Sequence, residues 1–298
     1  MATLDVLIPH FNDSHGLDLS LASIARQTWG GSLRVIVVDD GSCADELAQA
    51  ERVILASPLE IDLIKSAQNE GRPVTRNTLL DAAEAPFLAW LDAGDIWYEG
   101  KLQAQFHCIY QMIHAGIDLD SIWVTCNYDW KWEGRRRYKV QQNVGGDQLK
   151  DLFVGDKLRA YLWTLLGTRA AFNLTSRFDE RLPRLQDLDY FISFVRVGGQ
   201  IVAPEGTASH CCYLKSDVGR NASEIRACYA TIFNKHKASL MGYGPQVTRR
   251  VRAKSDFVVA RFAANNAAPI LAAQYKLNAF INDPKYALYR LKTSLMRG

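Results

Sequence analysis

Four short apolar runs alternate with helix-patterned segments over the first hundred residues, and that alternation confines the fold to a parallel sheet covered by helices. Leu4 to Pro9 reads as a buried strand. Asn12, Asp13 or Ser14 can cap a helix whose apolar positions Leu17, Leu21, Ile24 and Ala25 follow helical spacing. Leu33 to Val38 is a β-branched run, Cys43 to Leu55 is helical in pattern, and Ile61 to Ile64 is a further strand. Pro73 opens a helix through Ala83, where its missing N–H costs nothing, and Phe87 to Leu91 makes the fourth strand. Right-handed crossovers then order the strands as a Rossmann-like half.

Two of these strands end in acidic loops, Val37-Val38-Asp39-Asp40-Gly41-Ser42 and Trp90-Leu91-Asp92-Ala93-Gly94-Asp95. Ligands of open α/β sheets bind outside the carboxyl ends of the strands, so both loops face one crevice. The turn after the first strand, Pro9-His10-Phe11-Asn12, has neither GxGxxG nor a P-loop, which disfavours a dinucleotide enzyme or a P-loop NTPase. A diphosphate would need another counter-charge. A hard cation held by one or two carboxylates supplies it, and Asp92 and Asp95 are placed to hold one.

After Gly100 the pattern turns to α+β. A helix through Ala115 precedes strand-like Ile122 to Tyr128 and Arg136 to Val140, and Leu162 to Gly167, Ile201 to Ala203 and Ala208 to Leu214 are further strand candidates. Gln186 to Val197 has helical spacing, and from about Asn221 the patterns are helical almost throughout, notably in Arg226 to Lys237, Val247 to Ala264 and Tyr286 to Met296. The boundary is expected in the Lys215 to Asn221 stretch. The six cysteines show no metal-finger spacing and read as reduced, small apolar residues. No signal peptide or bilayer-length apolar run is evident, so a cytoplasmic protein is expected.

The net charge of +3 hides an asymmetry. From Arg220 onward 14 Lys and Arg face three acids, a net of +11 that leaves −8 for the preceding residues. Basic residues interleaved with apolar ones suit either the anionic face of a membrane or helices packed on the body with their charges in water.

The motifs Val6-Leu7-Ile8-Pro9-His10-Phe11-Asn12, Gln27-Thr28, Val37 to Ser42, Asn69-Glu70-Gly71 with Arg76-Asn77, Leu91-Asp92-Ala93-Gly94-Asp95-Ile96-Trp97, and Phe178-Asp179-Glu180 leading to Gln186-Asp187-Leu188-Asp189 stand in the order found in family 2 glycosyltransferases. From about residue 4 to 214 the chain resembles that family. The resemblance implies an α/β GT-A fold: a nucleotide-sugar half (1–100) and an acceptor half (101–218) around one mixed sheet, followed by a basic helical extension (219–298). It implies an inverting, metal-dependent transferase of the hexosyl or N-acetylhexosaminyl type. A UDP-sugar would be the donor and a glycan or lipid-linked molecule the acceptor, in polysaccharide synthesis of the cell envelope, capsule or lipopolysaccharide, with Mn²⁺ or Mg²⁺ as cofactor and no nucleic acid partner. The rival readings are a nucleotidyltransferase, whose basic glycine-rich loop is absent, and a non-enzymatic sugar-nucleotide binder.

By position, the resemblance assigns Pro9, Phe11, Asn12 and Asp39 or Asp40 to base and ribose, Asn69, Gly71 and Arg76 to the border of the nucleotide, and Asp92 to ribose and metal. Gly94 stands where the family usually keeps a metal-binding aspartate, so either Asp95 takes that role or Asp92 holds the ion through a water, the alternative for Asp95 being an N-cap for a helix starting near Trp97. Asp187 is the expected catalytic base, with Asp189 as second candidate and helix-dipole stabilisation as the alternative for both. His210 is a metal candidate or a core histidine. Trp97, beside the acidic loop, is a candidate sugar contact, ahead of Trp130, Trp132 and Trp163, all of which have a core reading as well.

Overall fold

A computed structural model describes residues 3–131, 137–214 and 221–295. Trp132, Arg297 and the expected boundary between 218 and 219 lie outside the described residues.

The first half follows the predicted alternation: β1 (Leu4–His10), α1 (Ser14–Ala25), β2 (Leu33–Asp39), α2 (Ala44–Ala56), β3 (Ile61–Lys65), α3 (Arg72–Ala82) and β4 (Phe87–Trp90). Of the three candidate caps of α1, Asp13 does the capping, its carboxylate accepting the Gly16 N–H at 2.9 Å. The chain continues through β5 (Ile96–Trp97), α4 (Lys101–His114), β6 (Ile122–Val124), β7 (Tyr128–Lys131), β8 (Tyr138–Val140), α5 (Gln148–Val154), β9 (Leu166–Thr168), α6 (Arg169–Asn173), α7 (Gln186–Arg196), β10 (Gln200–Val202) and β11 (Cys211–Leu214). Helices α8 (Ala222–Lys235), α9 (Lys237–Gly242), α10 (Gly244–Asn265), α11 (Pro269–Asn282) and α12 (Pro284–Leu295) follow.

The central sheet has the order β10-β6-β9-β4-β1-β2-β3, with β1, β2, β3 and β4 parallel and β9 antiparallel to both β4 and β6. A second sheet, β5-β11-β7-β8, stands beside it. The run Ile122 to Tyr128, expected as one strand, therefore serves two sheets, crossing between them at residues 125–127. The expected strand at Leu162 is a 3₁₀ turn before β9. Asp95 is not a helix cap: β5 follows it, and α4 begins only at Lys101.

Both faces of the central sheet are buried, as the unbroken apolar runs require. Leu7, Ile36, Val38, Leu88 and Trp90 point to one core, and Val6, Ile8, Val35, Val37, Ala89 and Leu91 to the other, which is the two-residue alternation of strands. At the start of β1, the buried Asp5 accepts two bonds from Arg34 at 2.9 Å and the N–H groups of Glu84 and Ala85 at 2.8 and 2.9 Å, tying β1 to β2 and to the approach to β4. The C-terminal helices add Cys228, Ile232, Leu240 and Val251 to the first of these cores. Three of their cations are in ion pairs: Arg226 with Asp256 at 2.9 Å, Arg250 with Asp283 at 2.5 Å, and Lys235 with Asp189 at 2.7 Å. All six cysteines are free, and among the described residues no helix is long and apolar enough to cross a membrane.

Candidate active site

Parallel strands β1, β2 and β4 deliver their carboxyl ends to one edge. There Asp39, 1% exposed, lies 2.7 Å from His10 Nδ1 and accepts the Ser42 N–H (2.9 Å) and hydroxyl (2.6 Å). Burial pushes its carboxyl up, but these bonds outweigh it and hold the group below the usual aspartate range. Asp40, also buried, accepts the N–H groups of Glu70 (2.8 Å) and Gly71 (3.0 Å). Asn12, in the left-handed region at φ 48°, accepts the Cys43 N–H at 2.8 Å. The two aspartates thus shape the loops of the expected nucleoside end, and Phe11 (46% exposed), Asn12 and Asn69 are its exposed groups.

The second acidic loop is a turn closed by the Asp95 N–H on the Asp92 carbonyl (3.0 Å) and clamped by Ser20, whose hydroxyl accepts from the Gly94 N–H (3.0 Å) and donates to the Asp95 carbonyl (2.8 Å). Gly94 sits at φ 92°, where a side chain is strained, which gives a physical reason for glycine in place of aspartate. The Asp95 carboxylate is buried. Oδ1 accepts the Leu214 N–H at 3.2 Å, while Oδ2 has no hydrogen-bond partner among the described residues. Burial first, then the neighbouring Asp92 charge, push this carboxyl well above the usual aspartate range.

Arg76, on α3 and 2% exposed, is the centre of the site. Its Nη2 reaches both oxygens of Asp92 at 3.0 and 3.1 Å, and its Nη1 donates to Asp187 Oδ1. Asp187 stands in the first turn of α7, with a side chain 20% exposed, and Oδ2 accepts the Leu162 N–H at 3.3 Å. Burial and the Asp92 charge raise its carboxyl above the ordinary range despite the pull of Arg76. Asp189 points elsewhere: it is buried against Lys235 (2.7 Å) and His236 Nε2 (2.8 Å). Of the two aspartates, only Asp187 faces the crevice.

That crevice is a cavity of about 320 Å³ whose wall includes Arg76, Asp92 and Asp187. Trp130, Tyr161, Trp163 and Tyr213 form an aromatic side, with Trp163 and Tyr213 stacked at 5.7 Å. Arg72, Arg159, Arg184, Lys254, Arg261 and Arg290 also line it, none of them among the expected site residues. The excess of basic residues after Arg220 was the available signal, but spacing alone does not reveal that α10 and α12 bring Lys254, Arg261 and Arg290 to the cavity wall. Of the expected site residues that are described, Arg76, Asp92, Asp187, Trp130 and Trp163 line this cavity, while the nucleoside-end residues, Asp95, Trp97 and His210 do not. Trp97 is 2% exposed, its ring under the Lys101 ammonium at 3.9 Å, so it has no face for a sugar. His210 pairs with Tyr98 at the far end of β11, roughly 10 Å along the strand from the position opposite Asp95.

A central mixed sheet with acidic loops at the carboxyl edge of its parallel strands is the GT-A architecture, and solved structures agree on the fold. S. aureus TarS 1-349 in complex with UDP-GlcNAc matches with a TM-score of 0.57 at 16% identity, over 94% of this chain and 89% of that one. The mannosyltransferase PcManGT from Pyrobaculum calidifontis, in complex with GDP-Man and Mn²⁺, matches with a TM-score of 0.56 at 17% identity, over 99% and 80%. The family described as "Glycosyl transferase family 2" matches residues 5–162, and the chain belongs to it. Among characterised relatives, the UDP-Glc:alpha-D-GlcNAc-diphosphoundecaprenol beta-1,3-glucosyltransferase WfgD of Escherichia coli is 30% identical over 102 residues, 34% of this chain and 39% of that protein. The amylovoran biosynthesis glycosyltransferase AmsB of Erwinia amylovora is 26% identical over 218 residues, 67% and 66% respectively. The matches thus span between two fifths and two thirds of those relatives.

The residues present fit a divalent cation. Asp95 Oδ2 is a buried carboxylate oxygen without a partner among the described residues, and each Asp92 oxygen keeps a lone pair beyond the one Arg76 takes. No group of three or more His, Cys, Asp or Glu forms a protein cage among the described residues, so a cation here would complete its shell with donor phosphates and water.

Proposed function

We propose that the chain is an inverting glycosyltransferase that moves a sugar from a UDP-sugar to a glycan or lipid-linked acceptor in polysaccharide synthesis. The observation that carries the reading is the single guanidinium of Arg76 joining Asp92 and Asp187 in the wall of one cavity. The nucleoside lies over Pro9 to Asn12 and Asn69 to Gly71, loops held in place by Asp39 and Asp40. Asp187 takes the acceptor hydroxyl proton as the oxygen bonds to the anomeric carbon. The bond from that carbon to the phosphate oxygen breaks, and UDP departs with the electron pair. Arg76 keeps Asp187 oriented, and the raised affinity of that carboxyl for a proton strengthens it as a base. Asp92 and Asp95 would hold a divalent cation, Mn²⁺ or Mg²⁺, which would neutralise charge on the departing diphosphate. The UDP-linked ligands named for WfgD and TarS support this donor class.

We read the working position as the inner face of the cell membrane, because α11 and α12 expose Ile270, Leu277, Ile281 and Leu288 among basic residues.

Calorimetric titration with UDP and GDP, with and without Mn²⁺, followed by UDP release from a UDP-sugar panel, tests the transferase. UDP is expected to bind best with the metal present, and Asp187→Asn is expected to keep that affinity while losing at least about a hundredfold in kcat. Turnover unchanged by the substitution removes the base assignment. Binding without turnover on any acceptor favours a sugar-nucleotide binder, and no binding of UDP overturns the donor.

A further inference from the structure

Helix α7 carries Asp187 and Asp189 in its first turn, and the residue that opens this turn is strained. Leu185 stands in the left-handed region at φ 60° and makes no side-chain capping hydrogen bond. A leucine keeps that conformation only where its surroundings fix it. Here the C-terminal helices do so. Leu185 and Leu188 pack against the apolar cluster that α8 and α10 build from Ile225, Tyr229, Val259 and Phe262. Between α8 and α9, His236, 1% exposed, bridges the two ends of α7. A guanidinium only donates, so Arg196 Nη1 donates to His236 Nδ1 at 2.9 Å, and Nε2 carries the ring proton and donates to Asp189 Oδ1 at 2.8 Å. Lys235 takes the other Asp189 oxygen at 2.7 Å. One buried imidazole thus ties the last turn of α7 to its first, two positions from Asp187. Asp187 lines the cavity, whereas Asp189, Arg196, Lys235 and His236 do not.

We propose that His236, acting through Asp189 and Arg196, is a positioning residue for the transfer: it holds the strained first turn of α7 so that Asp187 stays on Arg76 and within reach of an acceptor hydroxyl. The effect on turnover rests on the reading of Asp187 as the base, while the clamp itself rests on these bonds. A base displaced by about 1 Å loses much of its rate, so a turn that its own sequence strains needs a rigid hold. The hold on one side is α3, where Arg76 meets Asp187 and Asn77 exchanges hydrogen bonds of 3.1 and 3.0 Å with the Phe178 backbone ahead of α7. The C-terminal helices supply the second hold through His236. They thereby act on the reaction from a side chain outside the cavity wall.

The test compares His236→Ala with His236→Gln in the full chain, by UDP calorimetry, UDP release from the UDP-sugar panel and hydrogen–deuterium exchange. A glutamine amide can donate to Asp189 and accept from Arg196, so it rebuilds the bridge without an imidazole. His236→Ala is expected to lower kcat at least about tenfold with UDP affinity within about twofold, and to speed exchange over residues 185–190 while β1 and β2 stay unchanged. His236→Gln is expected to recover most of both. Unchanged kcat, a loss of UDP affinity as large as the loss of kcat, or a glutamine variant no better than the alanine one each overturns the proposal. If His236→Ala does not fold, Asp189→Asn, which keeps an acceptor for His236 and gives up the Lys235 pair, is expected to lose at least about threefold in kcat with the same exchange pattern; unchanged kcat or unchanged exchange in that variant overturns the proposal. If the unaltered protein turns over no donor, or Asp187→Asn turns over at its rate, the transferase reading or the base assignment falls alone. Exchange over residues 185–190 then still decides the clamp, and no change there overturns it.

Discussion

Arg76 donates to Asp187 across 111 positions of sequence, and the other nitrogen of the same guanidinium spans both oxygens of Asp92. The candidate base and the acidic loop after β4 are thereby held as one unit. Arg76→Met leaves two carboxylates facing each other without the guanidinium that bonds both, with only the more distant charge of Arg72 beside them. Because both are partly exposed, the expected loss is the low end for a broken buried pair, about 3 kcal/mol in urea denaturation. Arg76→Lys keeps the charge but has no planar fork, so less than half of the stability is expected to return.

Gly94 carries the turn between Asp92 and Asp95 at φ 92°, and a Cβ there would sit 3.4 Å from an Asp13 carboxylate oxygen. Gly94→Ala is expected to destabilise by about 1 to 2 kcal/mol through backbone strain, read by thermal or chemical unfolding. Unchanged stability would show that the turn relaxes. In that case the glycine would have no conformational explanation.

Asp5 offers a pH test remote from the cavity. Burial raises its carboxyl, but the bonds from Arg34 and from the Ala85 and Glu84 N–H groups outweigh this and depress it below the ordinary value. A depressed folded pKa contributes stability that is present above the unfolded value near 4 and is lost as pH falls through the folded value. Asp5→Asn is therefore expected to cost about 3 kcal/mol at pH 7 and clearly less at pH 3, compared by urea denaturation at both.

Flotation with phosphatidylglycerol-rich liposomes tests the membrane reading. The full chain is expected to float, and Ile270→Ser with Leu277→Ser and Ile281→Ser, at exposed positions of α11, is expected to reduce the bound fraction severalfold. Equal recovery of both proteins in the unbound fraction removes the membrane assignment.

Much of the first half was legible because it is local. A strand of Leu-Asp-Val-Leu-Ile-Pro, a capped helix and a β-branched run carry their own periods, and the predicted elements through β4 match those observed. Beyond α4 the signals are short and depend on partners. Ile122 to Tyr128 reads as one strand because nothing in seven residues says that its two ends join different sheets. Trp97 shows the same limit: its position beside Asp95 is a fact of sequence, and its burial under Lys101 is a fact of packing.

By itself the sequence determined the nucleotide-type half, the acidic loops at its strand ends and the family of motifs, since each depends on residues within a few positions of one another. The tertiary structure alone decided which aspartate faces the cavity, because Asp187 and Asp189 share a helix turn and differ only in meeting Arg76 or Lys235 and His236. It also decided the direction of the basic helices. Charge is countable along a chain, but whether it turns to solvent or into a cavity depends on which apolar faces pack, and here packing brings Lys254, Arg261 and Arg290 to the wall that also holds Asp187.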